Sequence, residues 1–223
     1  MQLKVAVNSD VSPIYLLPGM TPDYPVFARL APLLPHAIFA DFIPPKPNES
    51  LPHYAARMAD RFTPQSFIAG VSFGGIIALE IARIVRPKGC ILISSIRHPN
   101  QLPPWFRIWR TLGGRNCSTL LRMIGTSATL VPRSVCTSST LRAAKLSGVT
   151  GNWHRWATSA VLDWHPDPEP IACPVIQIHG NADTTFPARY VHPDVLVQNG
   201  QHALPVSHPM ETANAINAFY KAV

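Results

Sequence analysis

From Pro13 to Gly89, short apolar runs alternate with longer stretches in which apolar and polar positions recur at helical intervals. That rhythm predicts an α/β fold with a mostly parallel central sheet and flanking helices. Ile14 to Leu17 reads as a buried strand ending at Pro18-Gly19, Ala37 to Ile43 as a second strand and Phe67 to Val71 as a third. Helices are expected over Val26 to Leu34 and Leu51 to Phe62. Beyond residue 72, Ile76, Ile77, Leu79, Ile81, Ala82 and Val85 recur at helical spacing and leave Glu80 and Arg83 on the wetter side. Gly89 to Ser94 and Val175 to His179 are continuous apolar runs, the pattern of strands covered on both faces. Val195 to Gln198 is a shorter candidate, and a helix from about Met210 to Lys221 closes the chain.

Between the runs at Gly89 and Val175 lie roughly eighty residues, where a connection in such folds usually takes about two to six. A structured insertion over 97–170 is therefore expected. Prolines fence it, Pro99, Pro103 and Pro104 on one side and Pro166, Pro168 and Pro170 on the other, and proline favours rigid, extended boundaries. The insertion holds all five tryptophans, Trp105, Trp109, Trp153, Trp156 and Trp164. These rings form the insertion's own small core, or line a substrate pocket, or do both, because a helical cap over a site needs an apolar underside. With 223 residues and 47% apolar content, the chain can bury one full core, so a single domain over 1–223 is expected.

Charge and cysteine content narrow the function classes. Nineteen Lys+Arg against 12 Asp+Glu give a formal charge of +7, which favours anionic partners. Yet Arg107, Arg110, Arg115, Arg122, Arg133, Arg142 and Arg155 are spread out, without the lysine-rich run or aromatic-basic interleaving of a nucleic-acid groove. A solvated basic surface is the plainer reading, and attraction of an acidic substrate or an anionic membrane surface is the other. No nucleic-acid partner is expected. The longest apolar stretch, Gly70 to Val85, is interrupted by Glu80 and Arg83 and is too short to cross a bilayer, so no stable membrane insertion is expected. The opening MQLKVAVNSD lacks the apolar stretch and cleavage site of a secretory signal, which points to the cytoplasm. Cys90, Cys117, Cys136 and Cys173 show no paired metal-ligand spacing and are expected as free thiols, with no metal site. No glycine-rich phosphate loop is present.

The chemistry concentrates at residues 70–75, GVSFGG, directly after a predicted strand and before a predicted helix. A strand that turns sharply into a helix strains the turning residue and leaves no room for bulk two positions away. Gly70 and Gly74 provide that room, Gly75 suits close packing on the sheet, and Ser72 becomes the candidate nucleophile. The alternative is a structural serine in a tight turn. A serine hydroxyl needs a base to take its proton and a third group to orient that base. HGNADTTFP at 179–187 supplies Asp183, and NGQHALP at 199–205 supplies His202. All three candidates follow the carboxyl end of a predicted strand, and in an open parallel sheet those ends converge on one crevice. His208 precedes Pro209 and reads as a residue leading into a helix. His179 reads as fixing the loop that bears Asp183.

On these residues, Gly70-x-Ser72-x-Gly74 and the order Ser72, Asp183, His202, the chain resembles the α/β-hydrolase superfamily. It looks most like small single-domain bacterial-type hydrolases with an HG-x-x-D segment before the acid and a GGH-like segment around the histidine, although Gln201 stands in place of the second glycine. The resemblance covers most of the chain outside the insertion and implies a helical lid there. In some relatives the acid follows the preceding strand, but residues 94–97 read SSIR and contain no carboxylate. An oxyanion hole needs two backbone N–H donors. Phe73 is one candidate, and Met20, in a segment LLPGM similar to the superfamily's oxyanion loop, is the other; Pro18-Gly19 also reads as an ordinary turn. The resemblance implies a carboxylic ester hydrolase acting on small or medium acyl groups without a cofactor. Thioesterase or acyltransferase activity uses the same apparatus, and a non-catalytic ligand-binding member of the fold is the rival from another class.

Overall fold

The structure is a computed structural model that describes residues 11–22, 24–34, 36–106 and 153–223. Arg107, Arg110, Arg115, Arg122, Arg133, Arg142, Trp109, Cys117, Cys136 and the opening segment lie outside the described residues. Six strands form one sheet: β1 (Ile14–Leu17), β2 (Ala37–Phe39), β3 (Phe67–Val71), β4 (Gly89–Ile93), β5 (Val175–Gly180) and β6 (Val195–Val197). Their order is β2-β1-β3-β4-β5-β6, and every pairing is parallel. Leu17 lies level with Gly70, Val71 with Ile93, Ile93 with Ile178 and Gly180 with Val197. The segments that leave β1, β3, β4, β5 and β6 therefore emerge along one edge.

The helices are α1 (Leu51–Ala59), α2 (Phe73–Val85), α3 (Trp153–Leu162), α4 (Ala188–Val191), α5 (Leu204–Ser207) and α6 (Pro209–Ala222). Side chains alternate across each strand, and the core divides accordingly. Leu17, Ile68, Cys90 and Leu92 join α1, α2 and α3 on one face, while Ile14, Leu16, Ala69, Ile91 and Ile93 join Ile216 of α6 on the other. Covering on both faces is why the central strands are continuously apolar.

Three element boundaries differ from expectation, and proline accounts for the first. The expected helix over Val26 to Leu34 is two short 3-10 turns, Tyr24–Phe27 and Ala31–Leu33, because Pro25 and Pro32 lack the N–H that an α-helical ladder requires. Strand β2 stops at Phe39, and the chain runs on toward Pro44-Pro45. Helix α1, capped by Ser50, ends at Ala59; Arg61 and Phe62 bond to the carbonyls three residues back, and Pro64 follows.

Glu80 also departs from expectation. It is not on a wet face but 2% exposed, covered by the segment after α3. The Trp164 indole N–H donates to its carboxylate at 3.1 Å, and the Arg83 guanidinium lies 3.4 Å away. Burial pushes the Glu80 pKa up, opposed in part by Trp164 and Arg83. Trp153 and Trp156 are embedded in the main core against Phe42, Tyr54 and Phe73, so the described part of 97–170 is not a separate core. Cys90 and Cys173 are buried free thiols. Among the described residues, no group of three or more His, Cys, Asp or Glu could hold a metal ion, and no helix is long and apolar enough to cross a membrane.

Candidate active site

Strand β3 turns into α2 at Ser72, whose backbone has φ 52° and ψ −120°, a conformation that side chains rarely adopt. The surroundings hold it there. The Ser72 N–H donates to the Ile93 carbonyl at 2.9 Å, and the Ser95 hydroxyl donates to the Ser72 carbonyl at 2.7 Å. A Cβ on Gly70 would lie 2.1 Å from the Gly74 carbonyl oxygen, and one on Gly74 would lie 2.0 Å from that of Pro18. Side chains at either position would force the turn apart. Gly75 packs against Ser95 in the same way, with 2.5 Å from its added Cβ to the Ser95 side chain.

Ser72 makes no side-chain cap on α2. Its Oγ lies 2.9 Å from Nε2 of His202, and Nδ1 of His202 lies 2.8 Å from Oδ2 of Asp183. Because a carboxylate only accepts, Nδ1 carries the proton and Nε2 is left free to accept from the serine. The three side chains that the sequence singles out thus meet at the carboxyl ends of β3, β5 and β6, all buried, at 8%, 3% and 6% exposure. His208, by contrast, sits at the junction of α5 and α6 with its ring on the Ser207 hydroxyl, away from this chain of hydrogen bonds.

The acid is held from two sides. Thr185 and Phe186 donate backbone N–H groups to Oδ1 at 2.8 and 2.9 Å, and His179 reaches Oδ2 at 3.1 Å with its Nε2. The same Nε2 lies 2.6 Å from the Phe186 carbonyl, so it must carry the proton; Nδ1 of His179 is buried without a partner. His179 therefore braces the carboxylate itself as well as the loop. Burial alone would raise the Asp183 pKa, but the electrostatic attraction of His202 and the hydrogen bonds from His179 and His202 outweigh it and hold the carboxyl well below its usual range.

The loops after β5 and β6 are stitched together. Asn181 and Ala182 donate N–H groups to the carbonyls of Val197 and Gly200, and Asn199 donates its N–H to the Asn181 side chain. A Cβ on Gly180 would lie 2.1 Å from the Gly200 carbonyl oxygen. This close approach was hidden in the sequence; the HG and NG pairs at 179–180 and 199–200 were its only signal. Gln201 is exposed, so the glycine needed by this loop is Gly200.

The loop after β1 lies beside the serine. A Cβ on Gly19 would lie 3.8 Å from the Ser72 Cβ, and Met20 is buried. Phe73 is the first residue of α2, where a helical N–H has no partner within the helix. Trp153 of α3 donates its indole N–H to the Met20 carbonyl at 2.6 Å, a contact that no local motif announces. A cavity of about 540 Å³ lined by Lys46, Glu49, Arg155, Trp156 and Asp163 lies between the 45–51 loop and α3; Ser72, Asp183 and His202 are not among its lining residues.

Comparisons place this arrangement among known folds. The chain is similar to a hydrolase from Pseudomonas aeruginosa PA01, at TM-score 0.66 and 17% identity over 95% of this chain and 90% of that one. It is similar to a thermophilic esterase from Thermogutta terrifontis, at TM-score 0.60 and 18% identity over 95% and 90%. It is also similar to the type II thioesterase BorB from the borrelidin biosynthetic cluster, at TM-score 0.64 and 16% identity over 94% and 93%. At such identities these likenesses speak to the fold. A search of curated proteins found no match. The profile of the alpha/beta hydrolase family matches residues 14–215, which takes in all six strands, the turn at Ser72 and the loops bearing Asp183 and His202; the chain belongs to that family.

Proposed function

We propose that the protein is a serine hydrolase that cleaves carboxylic esters of small or medium acyl groups, in one domain over 1–223 with 97–170 as its lid. Ser72 attacks the ester carbonyl as His202 Nε2 takes its proton. Asp183 keeps the imidazole in the required tautomer and stabilises the imidazolium. The N–H groups of Met20 and Phe73 receive the charge that develops on the carbonyl oxygen. His202 then protonates the departing alcohol, and a water activated by the same imidazole releases the acid from Ser72. None of these steps calls for a cofactor.

The observation that carries this reading is the unbroken run of hydrogen bonds from Ser72 Oγ through His202 to Asp183, at 2.9 and 2.8 Å. A fluorophosphonate probe is expected to label Ser72, with labelling lost in Ser72→Ala and much reduced in His202→Ala. Hydrolysis of p-nitrophenyl esters is expected to fall by on the order of 10⁴-fold or more in either variant. A Ser72→Ala protein as active as the parent would end the proposal. Matched oxygen esters and thioesters of graded acyl length test the leaving group, and a higher kcat/KM on thioesters would move the assignment to a thioesterase.

A further inference from the structure

Trp153 opens α3 and is 1% exposed, yet it touches both residues assigned above to the oxyanion hole. Its indole N–H donates to the backbone carbonyl of Met20 at 2.6 Å. Its ring meets that of Phe73 edge-on at 5.9 Å and stacks on Phe42 at 4.8 Å. One turn further along α3, the Thr158 hydroxyl approaches the Met20 sulfur at 3.9 Å. Met20 is thus gripped by one helix at its backbone and at its side chain, across 133 residues of sequence.

The physical consequence concerns direction. An oxyanion donor is useful only when it already points to where charge will develop. The loop at Pro18-Gly19-Met20 contains glycine, which leaves its peptide planes free to turn. A buried hydrogen bond to the Met20 carbonyl limits rotation about that residue, and so restricts the aim of its N–H. On the other side, the ring contact packs against the residue whose N–H is the second donor.

We infer that Trp153 is a positioning residue for the oxyanion hole, transmitting the seating of α3 to the Met20 donor through the Met20 carbonyl. The inference rests on the reading of Ser72 as nucleophile and of Met20 and Phe73 as donors. Trp156 supplies the contrast. It belongs to the same helix and aromatic cluster and meets the Phe73 ring edge-on at the same 5.9 Å, but its indole N–H donates to the Glu49 carbonyl at 2.8 Å and not to Met20.

The test compares Trp153→Phe and Trp156→Phe in the full chain, with Trp153 replaced by benzothienylalanine as an isosteric version lacking only the N–H. Three quantities are read: kcat and KM on a p-nitrophenyl ester, affinity for a boronic acid that forms a tetrahedral adduct on Ser72, and affinity for the product carboxylic acid. Both Trp153 replacements are expected to lower kcat by roughly tenfold or more, below the full loss of a donor. Boronate affinity should fall in parallel, with KM and product affinity within about twofold. Trp156→Phe, which alters the packing on Phe73 but keeps the hydrogen bond to Met20, should change kcat and boronate affinity by less than about twofold. Equal effects at both tryptophans, or an unchanged kcat in the benzothienylalanine protein, would overturn the inference while Ser72 labelling stands. Failure of the fluorophosphonate to label Ser72 would remove the underlying reading and this inference with it.

Discussion

The two sides of the candidate site are held by different kinds of contact. On the acid and base side, Asp183 and His202 lie 19 residues apart, on loops leaving adjacent strands and laced together by their own backbone hydrogen bonds. On the nucleophile side, the elbow at Ser72 depends on glycine contacts with the loop after β1, and that loop is held by a tryptophan 133 residues further on. The first side is self-bracing. The second depends on a helix inserted late in the chain, which leaves its geometry open to changes far from the serine.

The largest effect expected from breaking this contrast comes from Asp183→Asn. An amide that keeps its oxygen toward the Thr185 and Phe186 N–H groups turns its own donors toward His202 and His179. His202 is then driven to the tautomer with a proton on Nε2, which cannot accept from Ser72, and kcat should fall by on the order of 10⁴-fold. The same substitution has a pH signature. Because the native carboxyl is held below its usual range, the folded protein binds fewer protons than the unfolded chain as acid is added, so stability falls with pH. The stability advantage of the parent over Asp183→Asn should be present at neutral pH and shrink as pH drops below ~4, the usual carboxylate value. Urea midpoints across pH check this; a gap that widens in acid contradicts the assignment of the carboxylate.

A smaller effect is expected on the other side from Gly74→Ala. Its methyl meets the Pro18 carbonyl at 2.0 Å, too close for either backbone to stay in place. Overpacking of this kind costs about 1–3 kcal/mol. The accompanying shift between the elbow and the loop after β1 should lower kcat by roughly 10²-fold. Thermal melts and ester hydrolysis read the two consequences separately, and a fully active Gly74→Ala would show that the two segments are not tightly coupled.

The mildest change is His179→Leu, which removes one of the donors on Asp183 Oδ2 but leaves the His202 contact and both backbone donors. A loss in kcat of roughly tenfold is expected, well short of that for Asp183→Asn, in line with the effect of groups that orient rather than react. A loss as large as that for Asp183→Asn would mean that the acid is not self-bracing without this second imidazole.

These differences also explain what the amino-acid order disclosed. The strands were legible because both faces of the sheet are covered, and the elbow was legible because its steric demand falls on Gly70 and Gly74, two residues either side of Ser72. Asp183 and His202 could be picked out because each lies just beyond a strand run. Glu80 was misplaced because helical spacing cannot see the segment around Trp164 that covers it. The Trp153 contact with Met20 was equally silent, since neither residue carries a local pattern that names the other.

The meeting of Gly180 with Gly200 has a mechanical consequence. With main chain pressed against main chain and no side chain between to act as a cushion, the two loops should travel as a single rigid piece when the protein breathes. The imidazole and its carboxylate would keep their separation through such motion. What varies is the gap from that piece to the hydroxyl, and heating or cooling should therefore register first in the bond to Ser72.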